Sequence, residues 1–363
     1  MLLTILLYFI FTLLLIGIVV AVVDYSVSGR GYRGTAGRHF DGRHFSNIGW
    51  TKRESYRVES PNGQYGKLRA FIGWMLQRKK PKWKKRKCEK VIPANINADT
   101  TFQITFVGHA TLLIQIAGQN ILTDPVWGRR VSPFKHAGPQ RFMDPGVDFD
   151  TLPRIDSVLL SHNHYDHMDI STLEKLHDRD NPVIYTGLGN ADYLSKYGIR
   201  SVIDMDWWDT NTLHSDNESH VTFVPAQHFS ARGIYDRNRT LWGGFVLNIH
   251  GKTLYFAGDT GYGAFVDEIR ERYPDGFDVG LLPIGAYKPR WFMADIHTNP
   301  EEALQLQYEL NIKTGLAIHW GTFPLADDAQ DEPIIDLAIA QEKEIYNNLD
   351  FRVGPNGTIW TIK

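Results

Sequence analysis

Residues 161–169 read SHNHYDHMD and follow directly on the apolar run IDSVLL at 155–160. His162, His164, Asp166 and His167 therefore fall within six residues at the point where a strand ends, a place from which a loop presents several side chains at short reach. Side chains at i and i+2 of an extended segment point the same way, so His162 and His164 are expected to share one metal ion. Asp166 and His167 continue the loop toward a second. Three further donors repeat the arrangement: His228 closes HVTFVPAQH, Asp259 closes TLYFAGD and His319 closes GLAIH. A lone histidine after a strand is ordinarily a hydrogen-bonded structural residue. Added to such a cluster, these three complete two coordination spheres. The expected arrangement puts His162, His164 and His228 on one ion, Asp166, His167 and His319 on the other, and Asp259 between them. Five neutral imidazoles and two carboxylates suit Zn²⁺, and the same donors accept Mn²⁺ or Fe²⁺.

Composition agrees with nitrogen and oxygen ligation. The only cysteine among 363 residues is Cys88, which excludes an intramolecular disulfide framework and a CxxC-type zinc site, whereas 14 His and 41 Asp plus Glu are available. With 43% apolar, 12% aromatic and 22% charged residues the chain can bury a large core. Disordered, collagenous and coiled-coil classes are thereby excluded. A net charge of −2 argues against a nucleic-acid binder.

Around the cluster, from about Thr100 onward, short apolar runs alternate with Gly, Asp and Pro: FQITFVG, TLLIQIAG, NILTDP, PVIYTG, WGGFVLNIHG, VGLLPIG and others. These are strand signals. Helical stretches lie between them, with a capping box expected at Ser171 to Glu174, an Asn299-Pro300-Glu301 start before EEALQLQYEL, and further helices from Ala264 and Pro333. Many strands with a few helices make a layered mixed α/β or α+β domain over 100–363.

The first 99 residues differ in texture. Residues 1–23, MLLTILLYFIFTLLLIGIVVAVV, carry no charged side chain and, at roughly 1.5 Å per residue, would cross a hydrocarbon core of about 30 Å. A cleaved signal peptide is the rival reading. No Lys or Arg precedes the run, it exceeds the usual signal core, and VVAVVDYS is a poor cleavage site, all of which favour a retained anchor. Arg30, Arg33, Arg38 and Arg43 follow it, so the positive-inside bias places the bulk of a single-pass membrane protein in the cytoplasm. Residues 24–99 are expected to be a juxtamembrane linker that ends in a basic segment. There, RKKPKWKKRKCEK at 78–90 holds nine basic residues against one acid, as either a solvated stretch or a patch facing phospholipid.

The order HxHxDH, His, Asp, His resembles the metallo-β-lactamase superfamily. Within it, VGHATLLIQI at 107–116, LTDPVWGRRVSPF at 122–134, GPQRF, DWWD, PAQHF, LWGGF, FAGDTGY, PIGAYKPRWFM, HTNPEEA and AIHWGTF resemble, in sequence and order, the N-acylphosphatidylethanolamine-hydrolysing phospholipase D family. The likeness covers roughly 102–325, while the first 90 residues carry none, and the apolar run departs from the family pattern. The resemblance implies an αββα four-layer sandwich, a dinuclear zinc site at its edge, and hydrolysis of N-acylphosphatidylethanolamine to phosphatidic acid and an N-acylethanolamine by homodimers acting on membrane phospholipid. It also implies that Tyr165 and His297 contact substrate, and that His109 and Asp124 lie beside the metals and orient their ligands. Catalysis would rest on Asp166, Asp259 and His297, the last either binding a non-bridging phosphate oxygen or protonating the leaving group. Trp127, Trp207, Trp208, Trp291 and Phe292 are candidates for an apolar cavity mouth. A lactonase or another phosphodiesterase would use the same donors, and a silent membrane-associated binding protein is expected to have lost some of them.

Overall fold

The computed structural model describes residues 2–47, 49, 72–78, 80–94, 101–213 and 216–362. Fourteen strands among them form two seven-stranded sheets. The first has β1 (Phe102–Gly108), β2 (Thr111–Ile116), β3 (Gln119–Thr123), β4 (Ser157–Leu160), β5 (Val183–Gly187), β6 (Val202–Met205) and β14 (Ile359–Ile362), in the order β14-β1-β2-β3-β4-β5-β6. The second has β7 (Thr210–Leu213), β8 (Asp216–Val224), β9 (Gly244–Ile249), β10 (Lys252–Phe256), β11 (Phe277–Pro283), β12 (Ile312–Ile318) and β13 (Asp350–Arg352), in the order β13-β12-β11-β10-β9-β8-β7. Each sheet is antiparallel over four strands and parallel over the rest: β3 to β6 in one, β10 to β13 in the other. The two halves therefore share one plan.

Side-chain alternation decides the layering. Leu112, Ile114, Leu159, Leu254, Phe256, Leu316 and Ile318 point into a core shared by both sheets. Their neighbours point the other way. Leu113, Val158 and Leu160 pack beneath α3 (Ile170–Asp180) and α4 (Asn190–Ser195), while Tyr255 and Ala317 pack beneath α5 (Phe265–Arg272), α7 (Pro300–Glu309) and α8 (Glu332–Gln341). The result is helix, sheet, sheet, helix, the expected αββα sandwich. Central strands buried on both faces explain why they read as continuous apolar runs. α7 starts at Asn299 with a capping box to Glu302. At α3 the cap is Asp169 instead of Ser171, because its carboxylate accepts from the Ser171 and Gly128 amides and from the Thr172 hydroxyl.

The amino-terminal helix α1 (Leu2–Val27) extends past the apolar run by a turn, since the Asp24 carboxylate accepts from the Ser28 hydroxyl and the Ile234 amide. Its span Thr4–Val27 has mean hydropathy 3.0 and is long and apolar enough to cross a membrane. Within the expected linker, Phe40 and Phe45 enter the inter-sheet core with their ring centroids 4.5 Å apart and tilted, and Asn47 is buried against His228. Residues 29–47 are thus part of the domain's packing. Phe45→Ala is expected to cost about 3–5 kcal/mol of unfolding free energy, the usual penalty for emptying a buried aromatic site; chemical denaturation of the full chain measures it, and a loss under 1 kcal/mol would contradict this placement.

Next comes a short helix that includes residues 72–77, α2, and then the basic segment, whose Lys79 lies outside the described residues, as do 51–71 and 95–100 of the expected linker. Arg78 pairs with Asp327 at 2.7 Å, Arg86 with Asp331 and Lys90 with Asp148, so three of its cations are neutralised by the domain along which it runs.

Candidate metal centre

The donors gather where strands of both sheets end. β1 delivers His109, β3 Asp124, β4 the loop with His162, His164, Asp166 and His167, β8 His228, β10 Asp259 and β12 His319. Carboxyl ends of strands in open sheets present loops and outward-aimed side chains together, and here two such edges face one another. Close approach is needed for this. Gly258, at φ +60°, lies so near the neighbouring loop that a Cβ would stand 2.8 Å from that of Ser161 and 2.9 Å from the Gly243 carbonyl oxygen. His109 and His319 both take φ +61°, and Asp124 +31°, conformations that cost non-glycine residues about 1–3 kcal/mol and persist where surrounding structure enforces them.

Two groups of ligating atoms result. His162 Nε2 and His164 Nδ1 are 2.8 Å apart, and His228 Nε2 lies 3.3 Å from the same Nδ1. In the second, Asp166 Oδ2 is 3.3 Å from His167 Nε2 and 3.4 Å from His319 Nε2. Asp259 Oδ2 sits between the groups, 3.2 Å from His167 Nε2, 3.1 Å from His319 Nε2 and 3.8 Å from His228 Nε2. The seven residues singled out from the sequence are all brought together. His109 joins them, its Nε2 3.0 Å from Asp166 Oδ2, a contact at hydrogen-bond distance from which it can orient that donor or add to its group. His297 is adjacent, its Nδ1 3.9 Å from Asp259 Oδ2.

The backs of the imidazoles are held. His228 Nδ1 is 2.8 Å from the Ile296 carbonyl oxygen, which can only accept, so the proton is on Nδ1 and the Nε2 lone pair faces inward. Asp124 Oδ2 lies 2.6 Å from His167 Nδ1 and accepts from Ser161 Oγ, which in turn lies 2.9 Å from His162 Nδ1. One buried carboxylate thus fixes a histidine of each group. His167 Nε2, both nitrogens of His319, Asp259 Oδ1 and His297 Nδ1 are buried and make no hydrogen bond. Orphaned polar atoms are rare in folded proteins, and several aimed at one point fit a cation. The charges agree. Burial, with neighbouring histidines adding to it, depresses His162, while His164 is lowered to about 3 and His228 to about 4 chiefly by burial, leaving neutral lone pairs. Burial also disfavours charge on His167 and His319, yet Asp259 and Asp166 outweigh it and raise His167 well above its ordinary value and His319 to about 9. The carboxylates demand positive charge at that point, which a metal supplies in place of the two protons.

Asp124→Asn puts an amide NH₂ or a neutral oxygen where His167 and Ser161 need a charged acceptor. The expected loss is 10- to 100-fold in metal affinity, roughly that of orienting residues around metals, read by competition with a chelating dye. Unchanged affinity would show that His167 is held without it.

Residues 119–320 match the sequence family described as Beta-lactamase superfamily domain. The chain belongs to the beta-lactamase superfamily. Among curated members it is 35% identical over 230 residues to N-acyl-phosphatidylethanolamine-hydrolyzing phospholipase D 1 of Caenorhabditis elegans, covering 61% of this chain and 64% of that one. To the mitochondrial enzyme of the same name from Saccharomyces cerevisiae it is 36% identical over 242 residues, 66% of this chain and 51% of the other. The chain thus spans less than two thirds of these relatives. A solved metallo hydrolase from the archaeon Ignicoccus hospitalis shares the metallo-β-lactamase fold at TM-score 0.56 and 23% identity, over 73% of this chain and 99% of its own.

Some parts of the superfamily site were not legible beforehand. Asn47 Oδ1 accepts from the His228 amide at 3.1 Å and its Nδ2 donates to the His228 carbonyl at 3.0 Å, clamping that ligand across 181 residues. Arg232 donates to the Asn163 and Met168 carbonyls and braces the metal loop from behind. No local pattern marks either. Tyr165 points away from the donors: its hydroxyl donates to the Arg232 carbonyl, and its ring lines a separate cavity of about 420 Å³ with Arg129, Arg130 and Val27. Of the candidate mouth aromatics, Trp207 is core, and Trp127 is half-buried with its indole on the Val147 carbonyl. Trp208 packs at the core margin under Arg272. Trp291 and Phe292, on α6 (Arg290–Met293), stack near Trp74 of α2, with Phe292 exposed.

Proposed function

We propose that this chain is a dinuclear, zinc-dependent phosphodiesterase that hydrolyses N-acylphosphatidylethanolamine to phosphatidic acid and an N-acylethanolamine. What carries the reading is the convergence of His162, His164, His228, Asp166, His167, Asp259 and His319, with His167 Nε2, His319 Nε2 and Asp259 Oδ1 buried without hydrogen bonds, together with 35% and 36% identity to relatives named for that reaction. Those seven residues would hold the two ions, with His109 near enough to contribute. When bound, such ions neutralise a phosphodiester anion and activate water near pH 7, two requirements of this hydrolysis. The chain's own residues do the rest. Asp259 fixes the spacing of the two groups, Asp166 draws His167 and His319 together, and Asp124 and Ser161 orient the ligands. His297, buried beside Asp259, would bind a phosphoryl oxygen or, once it has itself been protonated, pass that proton to the leaving alkoxide.

The enzyme would be a single-pass membrane protein with α1 as anchor and the hydrolase domain in the cytoplasm, acting on phospholipid of its own bilayer as a homodimer. Trp291 and Phe292, beside His297 in sequence, would receive the acyl chains, and Tyr165 would meet substrate only through the cavity it lines. Mass-spectrometric product analysis of the full chain on mixed membrane lipids tests the activity: paired formation of phosphatidic acid and N-acylethanolamine is expected. Turnover of a lactone panel in place of these lipids would overturn it in favour of the alternative chemistry. Light scattering at one chain mass would contradict the dimer.

A further inference from the structure

A second cavity, of about 610 Å³, opens where α1 meets the domain. It is lined by Asp24 and Tyr25 of the helix end, by Arg30 and Arg33 beyond it, and by Lys196 and Arg239 from the domain. Its two carboxylates are already engaged. Asp24 accepts from Ile234 N and Ser28 Oγ, and Asp236, at the cavity wall, accepts from the amides of Gly29, Arg232 and Gly233. The cations are not. Among the described residues Arg30, Arg33 and Arg239 have no carboxylate within ion-pair distance, and Lys196 Nζ donates only to the Ser28 carbonyl. Four cations over two internally satisfied acids make a site for an anion.

Depth tells which anion. The apolar run ends at Val23 and α1 continues to Val27, so the last turn of α1 and the arginines after it fall at the level of the headgroups once the helix crosses a bilayer of about 30 Å. Next to the cavity, Ile234 and Tyr235 stand 66% and 71% exposed on the loop that binds Asp24, an apolar tip at that same level. A soluble phosphate would not need that tip, whereas a lipid would meet both.

We propose that this cavity binds the phosphodiester of an anionic phospholipid from the anchoring leaflet, with Arg30, Arg33, Lys196 and Arg239 around the phosphate and Ile234 and Tyr235 against the upper acyl chains. The assignment rests on α1 being retained as the anchor. The lipid so held is not a substrate, because none of the metal-centre donors lines this cavity. It seats the domain on the membrane: Asp236 fixes the turn from which Arg232 reaches the Asn163 and Met168 carbonyls of the metal loop. The Tyr165 cavity, which also borders Val27, is thereby held beside the bilayer.

The test uses the full chain reconstituted in phosphatidylcholine vesicles with a minor fraction of phosphatidylglycerol, then transferred to micelles for native mass spectrometry of retained lipid. One phosphatidylglycerol per chain is expected, enriched over its share of the vesicle. Arg30→Ala/Arg33→Ala, both exposed, should lower that enrichment by about five-fold for each arginine. Arg30→Lys/Arg33→Lys should keep most of it, which separates lost charge from lost fold. Soluble glycerol phosphate should not displace the lipid. No enrichment in the wild type, equal enrichment in the alanine variant, or displacement by glycerol phosphate would overturn the proposal. Alkaline extraction of the same vesicles reads the anchor alone: release of the chain refutes the membrane-protein reading, while a retained chain without enriched lipid refutes only the cavity.

Discussion

Asp259→Asn is expected to cut turnover on the order of 10³-fold, the scale seen when a charged or polar group is removed from a developing negative centre, while circular dichroism stays that of the wild type. The reason is position. Among the described residues Asp259 Oδ2 is the one carboxylate oxygen within 4 Å of donors from both groups, reaching His167, His319 and His228, and Oδ1 is buried with no hydrogen bond. An amide of the same shape keeps the packing and removes the charge, so two cations at neighbouring sites would repel one another unscreened. The effect must therefore appear in metal content as well as in rate. A variant that binds two equivalents and turns over at near-normal speed would end the bridging assignment.

His297→Ala should slow hydrolysis by about 10²- to 10⁴-fold, as for loss of a positioned acid or base, with metal content unchanged. His297 follows α6 and is set by its neighbours. Arg290 donates to its carbonyl at 2.9 Å and forks onto Glu302 with two contacts of 2.8 Å. Its ring stands 5.1 Å from that of His228 and 5.3 Å from that of His319, and with His228 and Asp259 it makes a further group whose donor atoms lie within reach of one ion. Its Nδ1 is 3.9 Å from Asp259 Oδ2, buried and without a hydrogen bond. Loss of one metal equivalent in the variant would instead make His297 a ligand alongside His228 and Asp259.

What the sequence revealed and what it hid follow from where information is local. The metal loop was readable because four donors lie within six residues after a strand, and His228, Asp259 and His319 because each follows an apolar run. Ten strands carry that signature. The four that escaped notice, β6, β7, β13 and β14, are the outer edges of the two sheets. An edge strand covered on one side needs no continuous apolar run, and the half-exposed DFR of β13 and TNTL of β7 look like loop. At the site the same limit applies. Asn47 clamps His228 from a Gly- and Arg-rich stretch that has no periodicity, and Arg232 reaches the Asn163 and Met168 carbonyls across 69 and 64 residues. Residue type announced the ligands, and the family resemblance pointed to Asp124, but Asn47 and Arg232 emerge only from the fold.

Metal stoichiometry of the full-length chain, measured by mass spectrometry before and after chelation with turnover followed in parallel, tests the dinuclear centre most directly. Two equivalents per chain, lost together with activity and restored together by zinc, are predicted. A chain that purifies without metal and takes up none, or that hydrolyses lipid undiminished after its metal is stripped, would contradict the account.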